Sequence, residues 1–212
     1  MNINSDIYNY AEKFTSEESA VLKKLNRETH LNILYPRMLS GKLQGTFLKM
    51  ISYMISPKRI LEIGTYTGYS AICLASGLSE NGLLHTIEIN PELEDIERKY
   101  FEEARLTEKI KLQIGDALEI IPTLSEQFEI VFIDADKENY LNYYNLVFDK
   151  VKKGGFILAD NVLWDGKVLE VPENSDIETK ALQEFNQFVQ NDNRVENLLL
   201  PFRDGISIIR KM

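Results

Sequence analysis

The most restrictive feature of this chain is an alternation that begins at residue 58 and runs to residue 160. Five short apolar runs, "KRILEIG", "LLHTIEIN", "KIKLQIG", "FEIVFID" and "GGFILAD", are separated by "GYSAICLASGL", "PELEDIERKYFEEARL", "ALEIIPTLSEQ" and "NYLNYYNLVFDKV". The first set reads as buried strands and the second as helices; Asn90 and Pro91 supply an N-cap and first helical residue. Strands alternating with helices over short connections imply a parallel sheet, covered on both faces and wound with right-handed crossovers. The pattern then breaks. "NSDIETKALQEFNQFVQND" reads as a helix with Ser175 and Glu178 as a capping box, and "VENLLLPF" and "ISIIRKM" flank Asp204-Gly205 as an antiparallel hairpin. The expected sheet has seven strands, one of them reversed near an edge.

Residues 1–56 read as a helical extension to a core of residues 57–212, the whole being a single domain. "TSEE" is a capping-box pattern, with Thr15 as N-cap and Glu18 at N3, ahead of a stripe of Val21, Leu22 and Leu25. "YPRMLSGKLQG" interrupts the helix, and Leu43, Phe47, Met50, Ile51 and Met54 recur at helical spacing after it.

Composition narrows the function. A net charge of −9 and a pI near 4.9 argue against broad electrostatic binding of nucleic acid. No apolar run reaches the ~18 residues of a membrane span. The start, "MNINSDIYNYAEKF", lacks the pattern of a secretory signal, so the expected location is the cytoplasm. One cysteine, Cys73, allows no internal disulfide and reads as a core residue. His30 and His85 stand apart from any zinc-type cluster and read as structural.

Chemistry is expected at the carboxyl ends of the strands, where open α/β sheets bind ligands. "LEIGTYTGYS" closes the first strand, and Gly64 and Gly68 let backbone approach a ligand closely. Its E-x-G-x-x-x-G spacing fits the diphosphate cradle of a dinucleotide poorly, which counts against a nicotinamide oxidoreductase. Glu88 ends the second strand, where an acid accepts ribose hydroxyls, and "GDA" (115–117) ends the third, where an adenine fits. Together they favour an adenosine-type ligand. Asp134 ends the fourth strand, and Asp160 and Asn161 end the fifth. If those strands are neighbours, two carboxylates and an amide oxygen converge as hard ligands for Mg, Mn or Ca.

"LEIGTYTGYSA", "FIDADK" and "LADNVLW", in that order, closely resemble the cation-dependent, S-adenosylmethionine-dependent O-methyltransferases. This is the group of caffeoyl-CoA O-methyltransferases, related to catechol O-methyltransferase, here of the bacterial type. The resemblance implies a Rossmann-like class I methyltransferase fold with sheet order 3-2-1-4-5-7-6 and strand seven antiparallel. It implies cofactor contacts at Glu62, Gly64, Thr65, Ser70, Glu88, Ala117 and Asp134, with Met38 and Ser40 in a segment covering the cofactor. It gives the same metal ligands, Asp134, Asp160 and Asn161, with Mg the leading cation. Lys137 is expected to accept the proton of the substrate hydroxyl or to hold the oxyanion. Asp136 is expected to contact substrate or to stabilise Lys137. Trp164 either walls the substrate ring or packs in the core, and Asp165 stands where many plant members carry a substrate-contacting Asn. The expected activity is methylation of a hydroxyl on a small catechol-like or phenolic substrate, by a homodimer to which the N-terminal helices contribute. The alternative is a transfer-RNA hydroxyuridine O-methyltransferase with the same cofactor and metal; a further class is a non-catalytic cofactor-binding module, against which the intact acidic set counts.

Overall fold

The computed structural model describes residues 5–173 and 176–212. Its strands are β1 (Arg59–Ile63), β2 (Leu83–Glu88), β3 (Ile110–Ile114), β4 (Phe128–Ile133), β5 (Val151–Asp160), β6 (Val195–Leu200) and β7 (Ile206–Lys211). They form a seven-stranded sheet in the order β3-β2-β1-β4-β5-β7-β6. β7 runs antiparallel to both β5 and β6, the reversal expected from the Asp204-Gly205 hairpin. The helices are α1 (Ser5–Lys13), α2 (Ala20–Asn32), α3 (Gly41–Ile55), α4 (Tyr69–Ala75), α5 (Glu94–Glu103), α6 (Ala117–Thr123), α7 (Tyr140–Phe148) and α8 (Ile177–Asn191). No described helix is long and apolar enough to cross a membrane. The chain divides into two compact units, one running to Asp116 and the other from Ala117 to Met212.

In the first unit β1, β2 and β3 pair in parallel, with Glu62 beside Thr86 and Glu88 beside Ile114. Ile60, Leu61, Leu84 and Ile87 are buried, as a strand covered on both faces requires. The helices of the N-terminal extension lie on this unit. α3 approaches α4 closely because Gly45 faces Tyr69 and Cys73; a Cβ there would lie 2.5 Å from the Tyr69 ring. Cys73 is a core residue, and burial raises its thiol well above the ordinary range. His85 is fully buried, its Nδ1 3.4 Å from Gln113 Oε1, whereas His30 is exposed with Nδ1 2.9 Å from Asn26 O.

The helix caps partly differ from expectation. Asn90 caps as expected, accepting from Glu92 N–H at 3.0 Å ahead of Pro91. The Thr15 box does not form: α2 starts at Ala20 and is capped by Ser19, which accepts from Leu22 N–H. The reason is tertiary. Glu18 accepts a hydrogen bond from Tyr69 at 2.6 Å, and Thr15 donates to Ala11 O. In α8 the cap is Asp176, which accepts from both the N–H and the hydroxyl of Thr179; Ser175 lies outside the described residues.

In the second unit β4 and β5 pair in parallel from Ile130↔Phe156 to Ile133↔Ala159. β5 begins earlier than "GGFILAD" suggests. Phe128 already pairs with Val151, and the residues between are accommodated in a bulge where Gly154 takes φ 80°. Phe132, Ile133, Leu158 and Ala159 are fully buried. Their strands end side by side, so Asp134 and Asp160 each follow one member of the last β4–β5 pair.

Candidate active site

In the first unit the glycine loop is held by carboxylates. Gly64 takes φ 94° and donates its N–H to Ile87 O, which carries the chain off β1. Gly68 takes φ 87°, and a Cβ there would lie 2.6 Å from the Phe101 ring, so only glycine fits both the turn and the helix packed on it. Glu88 is buried and doubly engaged: Oε2 accepts from Tyr66 N–H at 2.7 Å and Oε1 from Asn90 N–H at 2.9 Å. The acid thereby fixes the loop backbone as well as ending β2. Behind it, Thr86 donates to Glu62 Oε2 at 2.6 Å, and the Thr65 and Thr86 hydroxyls are 2.5 Å apart. With Thr86 donating to Glu62, the Thr65 hydroxyl donates to Thr86. Ser70 is buried in the first turn of α4.

The upstream segment reaches the same loop. The Tyr66 hydroxyl donates to Leu34 O at 2.9 Å, tying the loop to residues just before Met38 and Ser40. Met38 is exposed and ends the turn Pro36–Met38, while Ser40 is buried at the start of α3. The first unit thus gathers Glu62, Gly64, Thr65, Ser70 and Glu88 around one loop, with Met38 and Ser40 in a strap bonded to it.

The second unit carries the acidic group and Ala117, which is buried at the start of α6. Lys137 is buried, with Nζ 2.7 Å from the Tyr140 hydroxyl and 3.4 Å from Asp134 Oδ1. The Tyr140 and Trp164 rings flank it at 4.8 and 5.8 Å from Nζ. The Tyr140 hydroxyl donates to Asp160 O at 2.7 Å. Burial, then the charges of Asp134, Asp160 and Asp136, hold this phenol well above the ordinary tyrosine range, so it stays a neutral donor. Asp160 is 3% exposed and accepts from Asn161 N–H at 2.9 Å.

Asp136 is exposed and accepts from Tyr143 Oη and Asn139 Nδ2, both at 2.5 Å; the ammonium of Lys137 points instead to Asp134 and Tyr140. Three residues after Asp160 turn left-handed: Asn161 at φ 58°, Trp164 at 48° and Asp165 at 51°. Such conformations cost about 1 kcal/mol or more each for non-glycine residues. The hairpin tip holds them, since Leu163 N–H donates to Asp204 O at 2.9 Å and Asp165 N–H to Asp204 Oδ1. The Trp164 indole N–H is buried without a hydrogen-bond partner. Among the described residues, no three His, Cys, Asp or Glu side chains gather as a metal site; the expected set is two carboxylates and one amide.

Sequence reasoning missed Tyr140, Tyr143 and Asp204. Tyr140 follows "FIDADK" by three residues, and that spacing from Lys137 on a helical turn was the available signal.

A model of the family described as O-methyltransferase matches residues 12–212. The chain belongs to the O-methyltransferase family. Among relatives of this O-methyltransferase, a probable caffeoyl-CoA O-methyltransferase of Dictyostelium discoideum is 32% identical over 99% of this chain and 93% of its own length. A caffeoyl-CoA O-methyltransferase of Nicotiana tabacum is 34% identical over 80% of this chain and 75% of its own. Among solved structures, an SAH-bound methyltransferase of Podospora anserina superposes with a TM-score of 0.90 at 29% identity, covering 100% of this chain and 97% of its own. An O-methyltransferase of Bacillus cereus in complex with SAH gives 0.89 at 28% identity, covering 98% and 97%. The O-methyltransferase fold and the enzyme class therefore stand on the family match as well as on the strand order.

Proposed function

We propose that this O-methyltransferase moves the methyl group of S-adenosylmethionine to one hydroxyl of a small catechol-like or phenolic substrate, with the help of a divalent cation. The observation that carries the reading is the buried Lys137 ammonium beside Asp134, with Asp160 ending the paired strand. The cofactor reading is supported by the glycine loop clamped to Glu88 and by the SAH-bound neighbours. Glu88 retains lone pairs for ribose hydroxyls while its N–H bonds hold the loop.

The donor set fits a hard cation. Asp134, Asp160 and Asn161 offer oxygen ligands, and Asp134 faces the Lys137 ammonium while Asp160 accepts from the Asn161 N–H. These three residues would hold Mg, Mn or Ca, and the ion when bound supplies positive charge that favours an ionised hydroxyl. S-adenosylmethionine when bound supplies a methyl group activated by its sulfonium. The protein's own work is positioning and proton handling. As an ammonium, Lys137 holds the ionised hydroxyl oxygen at Nζ; as the neutral amine, it would take up the hydroxyl proton there. Tyr140 fixes Nζ from one side through its hydroxyl and Trp164 covers it with its ring, keeping bulk water away. The strained turn of residues 161–165 sets the wall against which an aromatic acceptor stacks.

The caffeoyl-CoA relatives favour a small phenolic acceptor over transfer RNA. The reading extends to a cytoplasmic homodimer, supported by exposed Ile7, Tyr10, Phe14, Leu31 and Leu34 on and beside α1 and α2. The test is transfer of labelled methyl to a catechol panel with and without chelator, run beside transfer RNA lacking the modification. Cation-dependent methylation of a catechol is expected. Full activity in chelator would remove the metal, and labelling confined to RNA would replace the substrate.

A further inference from the structure

One residue of the glycine loop, Tyr66, is bonded at both of its ends. Its N–H donates to Glu88 Oε2 at 2.7 Å, and its hydroxyl donates to Leu34 O at 2.9 Å, with Tyr35 O at 3.3 Å. Tyr66 therefore spans from the acid that ends β2 to a segment 32 residues upstream. Both sides of the phenol bond lie in strained backbone. Tyr66 takes φ 53° and Tyr35 takes φ 57°, left-handed conformations that residues other than glycine seldom adopt. Strain of this kind persists where surrounding contacts hold it, and here the phenol bond joins the two strained sites.

The segment so held, residues 34–40, is a short strap. Met38 N–H donates to Tyr35 O at 2.9 Å and Leu39 N–H to Pro36 O at 3.2 Å, closing one turn. Leu34, Tyr35 and Met38 are exposed, whereas Leu39 and Ser40 are buried. Burial thus anchors the strap at its C-terminal end, and the Tyr66 hydroxyl reaches it at the other. Burial also raises the Tyr66 phenol above the ordinary tyrosine range, so it remains a donor at neutral pH. A single, partly exposed hydrogen bond makes and breaks readily, so strap and loop form an element with two states, clasped and released.

We propose that Tyr66 is a positioning residue that couples the strap to the cofactor: a cofactor bound at Glu88 favours the clasped state, and the clasped strap slows the cofactor's escape. The proposal rests on the reading that S-adenosylmethionine occupies the glycine loop. The physical reason is linkage. Glu88 holds the Tyr66 N–H with the same carboxylate that would take the ribose hydroxyls, so bound cofactor and loop shape are stabilised together. Whatever factor the cofactor adds to the clasp, the clasp returns to the cofactor. One hydrogen bond sets that factor at about 3–10-fold.

The test is hydrogen exchange at the Met38 and Leu39 amides, with and without saturating S-adenosylhomocysteine, in the unmodified chain and in Tyr66→Phe. The dissociation rate of the same ligand is measured beside it. In the unmodified chain the ligand is expected to slow exchange at both amides about 3–10-fold. Tyr66→Phe keeps the ring and removes the donor. Its strap should exchange at one rate with and without ligand, and the ligand should leave it about 3–10-fold faster. The loop's own Gly68 N–H, which donates to Thr65 O at 3.0 Å, should still be protected by the ligand. A merely structural bond would loosen the strap equally in both states. Ligand binding that leaves the strap amides of the unmodified chain unaltered, or full ligand-dependent protection in Tyr66→Phe, would overturn the proposal alone. Loss of protection at Gly68 together with the strap would do the same, because the hydroxyl would then be holding the whole loop. No binding by the unmodified chain would instead sink the cofactor reading, and the proposal with it.

Discussion

In the first unit the acids meet neutral donors: Glu88 takes two backbone N–H groups and Glu62 takes the Thr86 hydroxyl. In the second, Asp134 faces an ammonium and Asp160 accepts the N–H of a residue in a strained turn. Carboxylates bound to backbone N–H fix a loop in one shape, and such charge-assisted bonds are worth about 1.5–3 kcal/mol each. A carboxylate opposite an ammonium keeps its charge available, and a strained turn stores energy for positioning. On the proposed function, one unit serves as a rigid receptor and the other as a charged, pre-tensioned workplace. Affinity and turnover should therefore separate along the same line.

Substitutions can break or sharpen that separation. The largest effect is expected from Asp160→Ala, which should lower turnover about 10²–10³-fold with cofactor affinity held within about twofold. Labelled-methyl assays beside calorimetry measure both, and a parallel fall in affinity would erase the division. Lys137→Ala should lower turnover about 10²-fold with affinity again unaltered; an unchanged rate removes Lys137 from the chemistry. Glu88→Ala should act the opposite way, weakening cofactor binding about 10–100-fold as the Tyr66 and Asn90 N–H groups lose their acceptor. If saturating cofactor then fails to restore most of the turnover, the receptor role is too narrow. Gly68→Ala should cost about 1–3 kcal/mol of stability, because φ 87° and the Phe101 ring both resist a Cβ. Thermal melting reads it, and a neutral result would mean that the ring yields freely.

The alternation of strands and helices was legible because it depends on a pattern that repeats, apolar runs set between helices and closed by glycine or Asp, whereas the strand order came from the family resemblance. The acids at the strand ends were legible for the same reason, since a polar residue after a buried run marks a crevice. What stayed hidden depended on partners distant in sequence. Thr15 carries a sound capping signal, but Glu18 is drawn to Tyr69, 51 residues away. The bulge in β5 follows from Gly154 at φ 80°, a conformation that composition permits without requiring. Glu97 looks like a solvated helix residue among Glu94, Asp95, Arg98 and Lys99, and only packing reveals that it faces inward. Tyr140 reads as an apolar helix position, although its hydroxyl joins Lys137 to β5.

The hairpin tip at Asp204-Gly205 gives the second unit an unusual evolutionary handle. It grips the turn carrying Trp164 and Asp165 through an Asp204–Asp165 bond spanning 39 residues of sequence. Gly205 is pressed against Leu163, where a Cβ would come within 2.4 Å of the side chain. Drift at residues 203–205 would thus reshape the proposed acceptor wall without altering Asp134, Asp160, Lys137 or the glycine loop. Directed libraries seeking a new acceptor should begin there, where selectivity can diversify while the proposed catalytic residues are inherited intact.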